Sequence, residues 1–215
     1  MNAFCQRKFL ILTAHPDDAE SACGGLISKI IAGGGAVTNL IMVRPSKEIN
    51  SKRDETIVRS ELYRSQDVLK HTVDCYNTSL HEDGRPNLVL SNNLITEVEM
   101  VAKDYDVLIT HWREDTHQEH RLCYELGLSM SRKSFKEFWC MDQAPYNLRY
   151  ENFNANLYVD ITDHVQQKIR ALECYKSYFT QGAIDQIINY NRYRGSFLGD
   201  GRIAETFSVQ YQKIT

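Results

Sequence analysis

Short apolar runs alternate along this chain with longer stretches in which apolar residues recur every three or four positions. Phe9–Thr13 reads as a buried strand, and Ser21–Gly33 as the helix after it, closed by Gly33-Gly34-Gly35. Val37–Val43 is the second strand. Asp54–Lys70 has helical spacing, with Ile57, Val58, Leu62 and Leu69 near one face, and Asp74–Thr78 reads as a strand. Ser91 is the N-cap of a helix reaching about Lys103, with Leu94, Ile95, Val98 and Val101 on its apolar side. A short buried strand, Val107–Thr110, precedes a helix over His117–Arg132. Strands follow near Phe138–Asp142 and at Leu157–Asp160. Thr162 or Asp163 caps a helix to about Tyr178, and Gln181–Arg202 reads as a helix followed by a surface loop.

Repeated strand–helix alternation predicts an α/β protein with right-handed crossovers. The expected architecture is one Rossmann-like layered domain over residues 1–215, with a mostly parallel central sheet flanked by helices. A chain of 215 residues is long enough to bury a substantial core and a cleft. Its net charge of −3 and scattered Lys and Arg residues provide no basic stripe, so nucleic acid is not an expected partner. The opening residues lack the pattern of a signal peptide, and no apolar run reaches the length of a spanning helix. The expectation is therefore a cytoplasmic protein with no transmembrane segment. Its six cysteines are widely spread with no Cys-x-x-Cys pair, which predicts buried reduced thiols. A homo-oligomer is compatible with this composition.

Two passages carry chemistry. In Phe9-Leu10-Ile11-Leu12-Thr13-Ala14-His15-Pro16-Asp17-Asp18, an apolar strand ends in one imidazole and two carboxylates. Open α/β sheets place their ligands at such strand ends. About a hundred residues later, Leu108-Ile109-Thr110-His111-Trp112-Arg113-Glu114-Asp115-Thr116-His117-Gln118-Glu119-His120-Arg121 repeats the arrangement. On a helix, His117 and His120 would share a face. Catalytic zinc commonly takes three protein ligands and keeps one open position. His15, Asp18 and one histidine of the second passage would supply that set. Asp17 stays free as a base, and the other histidine can stabilise a tetrahedral intermediate. The plainer reading is a His-Pro-Asp-Asp turn with Asp17 or Asp18 capping the next helix.

Ala14-His15-Pro16-Asp17-Asp18-Ala19-Glu20 with Gly24-Gly25 resembles the amino-terminal signature of the PIG-L/LmbE-like zinc deacetylases. His117-Gln118-Glu119-His120-Arg121 is similar to that family's second motif, usually His-Pro-Asp-His followed by Arg. The likeness runs from Phe9 to about Phe207, where Ala204-Glu205-Thr206-Phe207 resembles a family segment with no catalytic role assigned. The resemblance implies zinc, or another divalent metal such as Fe2+, held by His15, Asp18 and His120. It implies Asp17 as general base and His117 as the histidine that stabilises the oxyanion or assists the leaving amine. It implies substrate contacts at Arg59, within Val58-Arg59-Ser60-Glu61, and at Asp83, within His81-Glu82-Asp83-Gly84. Two departures stand out: Gln118-Glu119 replaces Pro-Asp, and Asp115 stands where some relatives carry tyrosine.

The activity this implies is removal of the N-acetyl group from a small N-acetylated amino sugar or sugar conjugate, by metal-activated water with Asp17 as base. The alternatives are a metal-dependent hydrolase of another acyl amide, such as a formamide, or of an ester, and a non-catalytic sugar- or nucleotide-binding α/β module. No Gly-x-Gly-x-x-Gly follows the first strand and no Gly-x-Ser-x-Gly elbow is present, which argues against a dinucleotide enzyme and a serine hydrolase.

Overall fold

A computed structural model describes residues 4–43, 45–49, 52–76, 78–79, 87–132, 135–143 and 153–213. The first strand, β1 (Lys8–Thr13), is apolar at every position after Lys8 except its last residue. Phe9 and Ile11 enter one core cluster, while Leu10 and Leu12 enter another. A strand apolar on both faces needs helices on both, and it has them.

The helix α1 (Asp18–Ala32) buries Ala19, Ala22, Cys23, Leu26, Ile27 and Ile30, one face at helical spacing. It begins three residues earlier than the apolar pattern predicts, so Asp18 is its first residue and Asp17 its N-cap. Gly33 closes it, and Gly34 at φ +81° reverses the chain into β2 (Ala36–Ile41). A hairpin not foreseen from the pattern, β3 (Lys47–Ile49) with β4 (Lys52–Asp54), precedes α2 (Thr56–Leu69). Then come β5 (Thr72–Cys75), α3 (Asn92–Val101), β6 (Val107–Thr110) and α4 (Gln118–Ser131). The predicted strand at Asp74–Thr78 thus starts and ends earlier. Ser91 caps α3 as expected, accepting the Leu94 amide at 3.2 Å.

The remaining elements are β7 (Glu137–Met141), β8 (Leu157–Asp160), α5 (Val165–Leu172), α6 (Gln181–Gly195) and β9 (Ala204–Gln212). Instead of one helix from Thr162 to Tyr178, a single 3-10 turn leads into a short α5. The last strand, β9, has nine residues and was not predicted.

Among the described residues, seven strands form one sheet in the order β5-β2-β1-β6-β7-β9-β8. Pairings from β5 to β7 are parallel, and β9 runs antiparallel to both its neighbours. The chain moves outward from β1 on one side and returns to β6 on the other. The strand order therefore reverses between β1 and β6, the position where doubly wound sheets open a crevice at their carboxyl ends.

The last strand also grips the first helix. Glu205 on β9 accepts the Gly25 and Leu26 amides of α1 at 2.8 and 2.7 Å. Its charge is met by Lys168 of α5 at 2.7 Å, which also donates to the Ser21 carbonyl at 2.7 Å. Both side chains are fully buried. A Cβ at position 25 would lie 2.7 Å from Ile161, which explains the glycine there. Among the described residues, no helix is long and apolar enough to cross a membrane.

Candidate active site

The loops after β1 and β6 and the first turns of α1 and α4 bring His15, Asp17, Asp18, His117 and His120 to one cavity of ≈ 460 Å³. Asp18 and His120 lie at its buried end, 4 % and 7 % exposed. Nδ1 of His15 is 3.2 Å from Nε2 of His120, which is 3.3 Å from Oδ1 of Asp18. His15 Nδ1 is 3.5 Å from Oδ2 of Asp18. Tetrahedral ligands at zinc distances are separated by about 3.3–3.4 Å, close to each of these separations, with His15 and His120 facing different oxygens of Asp18.

The outer partners strengthen that fit. Nε2 of His15 lies 2.7 Å from Oε2 of Glu119, and Nδ1 of His120 lies 2.9 Å from Oδ2 of Asp115. An ionised carboxylate can only accept, so each imidazole donates its outer N–H and presents its other nitrogen inward. Two inward lone pairs 3.2 Å apart repel unless a cation or proton lies between them. The Asp18 oxygens divide their work as well: Oδ2 accepts the His15 amide at 2.6 Å, leaving Oδ1 toward His120.

Electrostatics agree with the geometry. Burial opposes the charge on His15, but Asp18 and Glu119 outweigh it and raise the imidazole to about 10. For His120 burial is likewise outweighed, by Asp18 and Asp115, to about 9. Asp18 resists its own burial because His120, His111 and His15 hold it well below the usual carboxylate range. Protons and a metal dication compete for these same nitrogens.

Asp17 behaves differently. It occupies the N-cap position of α1, yet its side chain makes no capping bond. Burial and the adjacent Asp18 push its carboxyl up to about 6. Neighbouring carboxylates thus diverge, one held ionised among imidazoles and the other close to neutral pH.

His117 is the N-cap of α4 rather than part of the helix: its Nδ1 accepts the Glu119 amide at 3.3 Å. Its ring centroid lies 4.7 Å from that of His120 and 4.8 Å from that of His15. Burial and the two cationic imidazoles lower its pKa. His15, His117 and His120 are one set of donors close enough to share an ion, and Asp18, His111 and His120 are another. His111, to which the sequence reading assigned no role, is fully buried and stacks on His120 at 3.8 Å. Its Nε2 faces the Ala14 amide at 3.1 Å, and an amide can only donate, so that lone pair is already engaged. Burial and His120 push His111 down to about 4.

Gln143, just past β7, was also missed. Its amide nitrogen reaches Oγ of Ser21 at 2.6 Å and Oδ1 of Asp18 at 3.4 Å. No motif marks it; only its place after a strand would have suggested it. Arg59 lies in the first turns of α2, bonded to Glu55 at 3.2 Å, and is not among the residues lining the cavity. Asp83 falls outside the described residues.

Known structures share this architecture. The conserved protein TT1542 from Thermus thermophilus is 19 % identical, with a TM-score of 0.77 over 96 % of each chain. GalB, the 4-carboxy-2-hydroxymuconate hydratase from Pseudomonas putida KT2440, is 14 % identical, with a TM-score of 0.79 over 97 % of this chain and 98 % of its own. The N,N'-diacetylchitobiose deacetylase from Pyrococcus horikoshii is 18 % identical, with a TM-score of 0.77 over 95 % of this chain and 84 % of its own. At these identities the likeness establishes the fold. Residues 10–131, more than half of the sequence, match the family model described as PIG-L: GlcNAc-PI de-N-acetylase, and the chain belongs to that family.

Proposed function

We propose that the protein is a zinc-dependent N-deacetylase acting on an N-acetylated amino sugar or sugar conjugate. The observation that carries this reading is the convergence of His15, Asp18 and His120, with donors 3.2–3.5 Å apart, beside a carboxyl of Asp17 raised to about 6. His15, Asp18 and His120 would hold zinc, which would supply a Lewis acid for the acyl oxygen and lower the pKa of a water.

Asp17 accepts the proton of the attacking water as the new carbon–oxygen bond forms. With a pKa near 6 it is ionised at neutral pH and still basic enough to take that proton. His117 is neutral there, and because its Nδ1 accepts an amide its proton sits on Nε2, a donor for the developing oxyanion. Protonated Asp17 then delivers its proton to the amine nitrogen as the carbon–nitrogen bond breaks. Acetate and a free amine result. Arg59 and Asp83 remain part of this proposal as contacts to the sugar.

The test is incubation of zinc-loaded protein with N-acetylglucosamine conjugates, reading out primary amine and acetate together. Equal release of both, abolished by chelation, is expected. Formate or another acid in place of acetate would reassign the acyl group. The fold is also that of a hydratase, so uptake of water by an unsaturated acid without amine release would overturn the amide reading. Stoichiometric sugar binding without turnover would leave a binding module.

A further inference from the structure

The turn between α5 and α6 contributes two aromatic rings to the cavity, Tyr178 and Phe179, which the proposed chemistry does not use. The turn is firmly held. Ser177 donates its amide to Oε1 of Glu61 at 2.9 Å and its hydroxyl to the other oxygen of that carboxylate. Glu61 is itself buried on α2. Two residues earlier, the fully buried Tyr175 donates its hydroxyl to the Pro16 carbonyl at 2.7 Å, and Oε1 of Glu20 lies 3.0 Å from the same oxygen. One phenol thus ties the aromatic turn to the His15-Pro16-Asp17 segment. The Tyr175 ring stands edge-on to Tyr178 at 6.2 Å and to Phe179 at 6.5 Å. Phe179 is partly buried against the core, while Tyr178 is 36 % exposed. Together they line one wall of the cavity, Phe179 the more buried of the two.

We propose that Tyr178 and Phe179 form the subsite for the sugar ring, stacking on the apolar face of a pyranose and selecting cyclic N-acetylamino sugars over acyclic N-acetylated amines. The inference rests on the deacetylase reading and names its substrate class more narrowly. The proposed metal ligands Asp18 and His120 lie at the buried end, so the cleaved bond sits deep. An acetyl group ends one carbon beyond that bond, and whatever extends outward belongs to the amine side. A cavity of ≈ 460 Å³ has room for more than an acetamide. A pyranose chair presents one face of C–H groups, and rings held in place cover such a face at little entropic cost.

The experiment compares a methyl glycoside of N-acetylglucosamine with N-acetylethanolamine on zinc-loaded wild type, Tyr178→Ala, Tyr178→Trp and Phe179→Ala. Calorimetric binding is measured alongside steady-state turnover. In the alanine variants KM and Kd for the glycoside should rise roughly tenfold, equivalent to ~1.4 kcal/mol, with kcat little changed. Constants for the acyclic ligand should not move, and Tyr178→Trp should bind the glycoside as wild type does. Equal losses for both ligands, or none for the glycoside, would overturn the proposal. Sugar binding that depends on Tyr178 without any turnover would leave the wall standing and sink the deacetylase reading. Turnover of both ligands, insensitive to either ring, would do the reverse.

Discussion

Oε2 of Glu119 stands 2.7 Å from Nε2 of His15, linking the first turn of α4 to the loop after β1. Glu119 occupies the position where the family usually has aspartate, and here a glutamate makes this contact. It fixes which nitrogen of His15 faces His120 and Asp18. Glu119→Ala should therefore weaken zinc binding roughly 10- to 100-fold, and Asp115→Asn should do the same through His120. Competition with a chelating dye measures both. Unchanged affinity in both variants would show that neither carboxylate orients its imidazole.

Asp17→Asn should keep its metal and lose roughly a hundred- to ten-thousandfold in kcat. In the wild type the base must be ionised. Burial and Asp18 raise the Asp17 carboxyl to about 6 without metal, and a bound dication lowers it, so kcat/KM should fall with the protonation of this base at or below that pH. An acid limb that persists unchanged in Asp17→Asn would assign the base elsewhere.

The Lys168–Glu205 pair is fully buried and spans α5, β9 and the backbone of α1. Removing one partner strands the other charge. Lys168→Met should cost about 3–5 kcal/mol by urea denaturation. Lys168→Met with Glu205→Gln should recover part of that loss, because no bare charge remains. A single variant as stable as wild type would refute the assignment.

His71 is buried, and neither ring nitrogen has a hydrogen-bond partner among the described residues. Burial lowers its pKa from 6.5 to about 4. The unfolded chain then binds the proton more readily than the folded one between those values. The stability due to neutral His71 is complete above pH 6.5 and is lost as pH falls toward 4, by about 3 kcal/mol in all. His71→Phe should flatten that part of the stability profile. An unaltered acid slope would place the lability in another group.

The site was more legible in the sequence than the fold's second half. His15, Asp17, Asp18, His117 and His120 are marked by strand ends in an apolar context, and they line one cavity. His111 was passed over because a histidine closing a strand resembles any buried polar residue; only stacking on His120 shows its position. Gln143 carries no spacing signal at all. From β1 to β6 the apolar runs located the strands of the large sheet within a few residues, but not the short β3–β4 hairpin. After β8 the pattern misled: Val165, Lys168, Ala171 and Leu172 face inward, but the helix stops at Leu172 and the chain turns. Lys168 carries no local signal of burial, because its buried partner Glu205 lies on another element. In β9 the Glu and Thr of Ala204-Glu205-Thr206-Phe207 interrupt the apolar run, yet both are buried.

The position of β9 has a bearing on how the protein is made. It is the last strand among the described residues, yet it lies between β7 and β8. Until it emerges from the ribosome, the Gly25 and Leu26 amides of α1 lack the carboxylate that receives them. The helix that begins at Asp18 therefore reaches its final packing only once a residue 180 positions after Gly25 has been synthesised. A chain arrested before Glu205 should leave the α1 backbone at Gly25 and Leu26 without its carboxylate, so the helix that carries Asp18 should set only after β9 is in place.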